Sequence, residues 1–168
     1  MTSTDLLLDA FERIRDAVHP AVNGLSPAEL AFRPDDESNS IAWLVWHLTR
    51  IQDDHVAGLA DSEQVWTAQG WAERFALPLD PSDTGYGHDP DMVAAVTADA
   101  VSLLGYFEGV HGKTLDFVRS LGGSDLSRVV DRSWDPPVTV GVRLVSVIVD
   151  DLQHVGQAAY VRGILQRR

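Results

Sequence analysis

Apolar residues recur at helical spacing along four long stretches of this chain. Leu7, Phe11, Ile14, Val18 and Val22 fall on one face and predict an amphipathic helix over about residues 3 to 23. Ser26, Pro27 and Glu29 supply a capping serine, a proline at the first helical position and a glutamate three residues on, which predicts a short further turn. Ile41, Leu44, Val45, Leu48 and Ile51 repeat in the same way without an intervening proline, so a second long helix is expected from about Ile41 to Leu59. Pro90 opens a third, drawn to about Leu121 through Val96, Leu103, Phe107, Val110 and Val118; Gly105, Gly109 and Gly112 weaken its middle and permit close packing or a kink. The stretch GGSDLSRVVDRSWDPPVTVG reads as a loop with a short extended piece near Val129 and Val130, and the last helix starts around Thr139 or Val140. Residues 61 to 90 are the least regular, and a connection of that length inside a compact domain is more often functional than idle. Four long helices joined in this way predict an all-α fold, a four-helix bundle with a long irregular connection between helices two and three.

Composition narrows the function classes. A chain of 168 residues and 18.4 kDa with 45% hydrophobic residues is expected to form one domain over 1–168 with a substantial core. A formal charge of -12 argues against nucleic acid and anionic membrane surfaces as partners, because both repel an acidic body. No segment is long and apolar enough to span a bilayer, and the N-terminus has acids where a signal peptide carries an apolar run, so the cytoplasm is the expected location. Zero cysteines exclude disulfides, thiolate ligands and a cysteine nucleophile. Any sulfur chemistry must then arrive on a bound small molecule.

The chemistry concentrates in the last helix. Asp150 and His154 are one turn apart and share a stripe with Val147, Ala158, Val161 and Leu165, which places a carboxylate among core-facing residues. Such a carboxylate is costly unless a cation holds it. His47, on the apolar face of helix two with Trp43, Leu44 and Ile51, offers a third donor. Two imidazoles and a carboxylate suit a divalent ion with open coordination positions: zinc first, with nickel or iron as alternatives. His55 and Asp54 lie too far along helix two to join His47, at ~12 Å for His55. Asp151 falls at the edge of the stripe and is expected to orient a ligand rather than coordinate. The competing reading pairs Asp150 with Arg143 or Arg50 in a buried ion pair and leaves the histidines as core residues. In the irregular region, Trp71, Arg74, Phe75 and Tyr86 have the composition of a small-molecule pocket, and equally of an aromatic plug at the end of the bundle. His88, beside a glycine, is a candidate proton shuttle or a flank of helix three. His19 and His111 have no identifiable partner, and the arginines Arg162, Arg167 and Arg168 complement the dipole of the last helix.

The segments SIAWLVWHL (40–48), GWAERF (70–75), GYGH (85–88) and VRLVSVIVDDLQHVGQAAYVRG (142–163) resemble the DinB-like superfamily, and within it the branch related to mycothiol-dependent maleylpyruvate isomerase. The likeness runs over nearly the whole chain. It implies a four-helix bundle with a divalent metal held by His47, Asp150 and His154, and mycothiol or a related thiol as cosubstrate in S-transfer to, or isomerisation and detoxification of, a small electrophile. One departure is that this branch places glutamate where the chain has Asp150, which bears on metal affinity more than on the location of the site. Two rivals remain: a hydrolase using metal-bound water, and a non-catalytic bundle with a degenerate metal site, possible as a homodimer.

Overall fold

The computed structural model describes all of residues 1–168. Helix α1 (Ser3–Val22) opens on a reciprocal cap in which the Thr2 hydroxyl accepts from the Asp5 N–H and the Asp5 carboxylate accepts from the Thr2 N–H. The same device at Ser26 and Glu29 starts the one-turn α2 (Pro27–Leu30). Ser40 caps α3 (Ile41–Ala60), which ends on Asp61 in the left-handed region at φ 51°. The connection that follows holds two short helices, α4 (Val65–Ala68) and α5 (Trp71–Phe75), too brief for periodicity to reveal.

The third helix departs from the expectation of one element over 90–121. Asp89 caps a short α6 (Pro90–Ala95), the chain turns extended at Val96, and Asp99 then caps α7 (Ala100–Ser120). Two aspartate caps ten residues apart split what the apolar spacing joined. Gly105 of α7 serves packing: a Cβ there would lie 2.6 Å from the Trp71 ring, so the helix gains close contact with α5 where it loses propensity. A small hairpin, β1 (Val129–Asp131) against β2 (Val138–Thr139), leads into α8 (Val140–Leu165), whose first turn is capped by Thr139.

Helix α3 packs on α7 and α8, and α1 packs on the same two, so α1 and α3 lie across the bundle from each other. Between them runs a continuous apolar core including Phe11, Ile14, Leu44, Phe107, Leu144 and Val147. This is the all-α four-helix bundle expected from the spacing. No helix is long and apolar enough to cross a membrane.

Candidate metal centre

The first ten residues of α3 are all buried, which carries His47 inside, 6% exposed, facing α8. His47, Asp150 and His154 each present a donor atom such that all three lie within 4.8 Å of one another. The His154 ring lies T-shaped to the His47 ring at 4.8 Å between centroids, and Trp43 stacks on His47 at 4.5 Å. Two helices distant in sequence thus bring the three groups together.

Both imidazoles are tied back through the nitrogen that faces away from the cluster. His47 Nδ1–H donates to the Thr84 carbonyl at 2.6 Å, which leaves the Nε2 lone pair free. His154 Nδ1–H donates to Gln157 Oε1 at 3.0 Å, and its Nε2 lies 3.5 Å from Asp150 Oδ1. An outer hydrogen bond on each ring is what metal-ligating histidines use to fix tautomer and orientation. Burial holds His47 below the usual imidazole range, the Thr84 carbonyl and Asp150 opposing it only in part, so this ring is neutral and able to ligate. For His154 burial also acts downward, but hydrogen bonds to Asp150 and Gln157 and the Asp150 charge outweigh it and raise the pKa. The other Asp150 oxygen, Oδ2, is buried with no hydrogen-bond partner. An orphaned carboxylate oxygen beside two oriented imidazoles fits a cation.

Neither arginine offered as a partner for Asp150 is available. Arg143 pairs with Asp131 at 3.3 Å and ties the hairpin to α8. Arg50 is fully buried and donates to the Asp83 carbonyl, Gln64 and Tyr106. His55 stays with Asp54 at 3.6 Å, apart from the cluster. Asp151 differs from the expectation that it sits at the edge of the stripe. It is fully buried at the centre of the packed face of α8, with Leu144, Val147, Val155 and Ala158, while Asp150 lies nearer the rim. Neither of its oxygens has a hydrogen-bond partner, and burial together with the adjacent Asp150 charge pushes its pKa well up, which favours the protonated acid.

The irregular connection reaches the centre through its backbone. Gly85 has φ 92°, and a Cβ there would stand 2.7 Å from His47 Nδ1, so only glycine lets Thr84 present its carbonyl to the ring. His88 accepts from Trp43 Nε1 at 3.0 Å on Nδ1 and faces the Asp83 carboxylate at 3.0 Å from Nε2; with both ring nitrogens engaged it anchors the tryptophan that stacks on His47. Trp71 and Phe75 pack on Tyr106, with Arg74 lying 4.8 Å over the Trp71 ring. Tyr86 is 91% exposed. The residues that periodicity passed over are Gln157, legible in principle as a polar residue at i+3 from His154, and the Thr84 carbonyl, which no side-chain pattern announces.

Comparison with known proteins agrees with this fold. The DinB superfamily pattern matches residues 10–158. The crystal structure of a conserved protein from Enterococcus faecalis superposes with a TM-score of 0.93 at 32% identity, covering 100% of this chain and 99% of that one. A comparison with curated proteins finds no match. With the bundle, the site and the family pattern spanning nearly its whole length, the chain belongs to the DinB superfamily.

Proposed function

We propose that this protein is a metal-dependent enzyme that activates a low-molecular-weight thiol, mycothiol or a close relative, for transfer to or isomerisation of a small electrophile. The carrying observation is the convergence of His47, Asp150 and His154 within 4.8 Å, with both imidazoles held by outer hydrogen bonds. A divalent ion bound there, zinc in the first instance, would supply Lewis acidity and favour the deprotonated form of a thiol. The chain supplies no thiol of its own, having no cysteine, so the nucleophilic sulfur comes with the cosubstrate.

The protein's own groups then bind and orient. A cavity of about 780 Å³ beside α8, lined in part by Asp35, Asn39, Gln153, Gln157 and Tyr160, adjoins the residue that fixes His154. Amide, carboxylate and phenol groups of this kind match the hydroxyl-rich body of a sugar-based thiol better than an anionic one. His88 and Trp43 hold His47 from behind and keep water from that side of the ring.

The test is turnover of a reactive electrophile by zinc-loaded protein with and without mycothiol, beside metal analysis of wild type and His154→Ala. The expected result is one equivalent of metal in the wild type, its loss in the variant, and turnover only with thiol present. Equal metal in both proteins would remove the site, and turnover indifferent to thiol would point instead to hydrolysis.

A further inference from the structure

Five of the large apolar side chains that the fold leaves exposed lie on α8: Val142, Val145, Val149, Leu152 and Tyr160. The first four are spaced three, four and three apart, and the same rhythm continues through Gly156, Ala159 and Gly163. A repeat of this kind keeps one seam of a helix facing a partner helix. Here the seam points away from Leu144, Val147 and Val155, which α8 already buries in the bundle. Charge points the same way. Every exposed residue of α8 is uncharged, whereas α1 exposes Asp5, Asp9, Glu12, Arg13 and Asp16. In a chain of formal charge -12, an equally acidic body meets less repulsion at this face than at α1.

We propose that the seam docks a second copy of this chain, α8 against α8 and antiparallel, about a two-fold axis passing between Val149 and Leu152. The sizes along the seam favour this occupant. Large residues fill its N-terminal half and small ones its C-terminal half, so an antiparallel copy sets Val142 against Ala159, Val145 against Gly156 and Val149 against Leu152. Large opposite small is how facing positions interdigitate, and a surface that fits its own image is what a two-fold interface requires. A parallel copy would crowd valine on valine at one end and leave glycine facing glycine at the other. From Val142 to Gly163 the helix runs ~32 Å at the usual rise. That matches the breadth of the ~800 Å² patch each subunit buries in a stable complex. A groove of about 530 Å³ flanks the seam and is bordered by Val145, Val149, Asp150 and Gln153.

The absence of cysteine makes the test clean. In sedimentation, wild type is expected at twice 18.4 kDa, and the V145E/L152E variant at 18.4 kDa with unchanged helical circular dichroism. On mild oxidation V145C/G156C is expected to link two chains, while V145C alone and the exposed V101C on α7 do not. A monomeric wild type at micromolar to millimolar concentration overturns the proposal, as does a V145E/L152E variant that still dimerises. Linking by V145C alone as efficient as by the pair overturns the antiparallel register. None of these readouts involves metal or thiol, so the proposal stands or falls apart from the catalytic reading.

Discussion

Gln157 Oε1 accepts a hydrogen bond from His154 Nδ1 at 3.0 Å, one turn further along the same helix. That bond leaves His154 Nε2 as the inward-facing atom, toward Asp150. Removing a hydrogen-bond partner of this kind costs roughly 10- to 100-fold in metal affinity. Gln157→Leu, at an exposed position of α8, is therefore expected to weaken zinc binding by about that factor with an unchanged melting temperature of the metal-free protein. Calorimetric titration with zinc reads the first and a thermal scan in chelator the second; equal affinity in the two proteins would mean that Gln157 does not orient the ring.

Gly85 couples the irregular connection to the same centre. An alanine there must accept a φ of 92°, which costs about 1 to 3 kcal/mol in a residue with a Cβ. Its methyl would also press on His47 Nδ1, Trp46 and Trp43 at 2.7, 3.0 and 3.2 Å. Gly85→Ala should thus lower both stability and zinc affinity, since the Thr84 carbonyl can no longer meet the imidazole. A variant that melts earlier yet binds zinc as the wild type does would separate the turn from the metal site.

Why the sequence reads so well in some places and so poorly in others follows from the range of the interactions. The first two long helices, the last helix and the pairing of Asp150 with His154 are local, set by i, i+3 and i, i+4 neighbours that spacing exposes directly. His47 was reachable because an imidazole on an apolar stripe needs a partner. Asp151 departs from the spacing because α8 packs against both α1 and α3, which turns the centre of its buried face away from the stripe through Asp150. The break at Val96 to Asp99 escaped because apolar spacing continues across it while only Asp89 and Asp99 mark two starts. His19 does have a partner, Glu108 at 2.5 Å, and His111 stands 3.5 Å from Glu12 without a hydrogen bond, but each approach crosses between α1 and α7 and depends on the fold.

The connection after α3 is held by a buried polar clamp. Asp53 accepts from the Val65 and Trp66 N–H groups at 2.9 and 2.8 Å and from the Tyr106 hydroxyl at 2.9 Å, with Arg50 at 3.9 Å. Burial, with the Asp53 charge beside it, raises the Tyr106 pKa well above the ordinary phenol range, so the hydroxyl stays a donor. Asp53→Ala strips three donors of their acceptor and leaves Arg50 as an uncompensated buried charge, for which about 3 to 5 kcal/mol is expected. Urea denaturation reads the loss, and a change below about 1 kcal/mol, the worth of one ordinary hydrogen bond, would show that Gln64 and the carbonyls of Pro81 and Asp83 suffice for the guanidinium.

His111 is expected to set part of the acid limit of stability. It is buried in α7, stacked on Phe107 at 5.8 Å between ring centroids, and neither ring nitrogen makes a hydrogen bond. Burial lowers its pKa; the carboxylates of Glu12 and Glu108 pull upward without reversing it, and Arg15 adds to the depression. A base whose folded pKa lies below the unfolded value of 6.5 binds fewer protons folded than unfolded, so stability falls as pH drops from 6.5 toward the folded pKa and is flat beneath it. His111→Leu removes the titrating group, and the fall in melting temperature between neutral and mildly acidic pH is expected to be smaller in the variant than in the wild type. His47 and His55, also lowered by burial, keep a residual slope in both proteins, so the quantity that matters is the difference between the two curves. Parallel curves in metal-free protein would mean that His111 gains enough from Glu12 on protonation to cancel the cost of its burial.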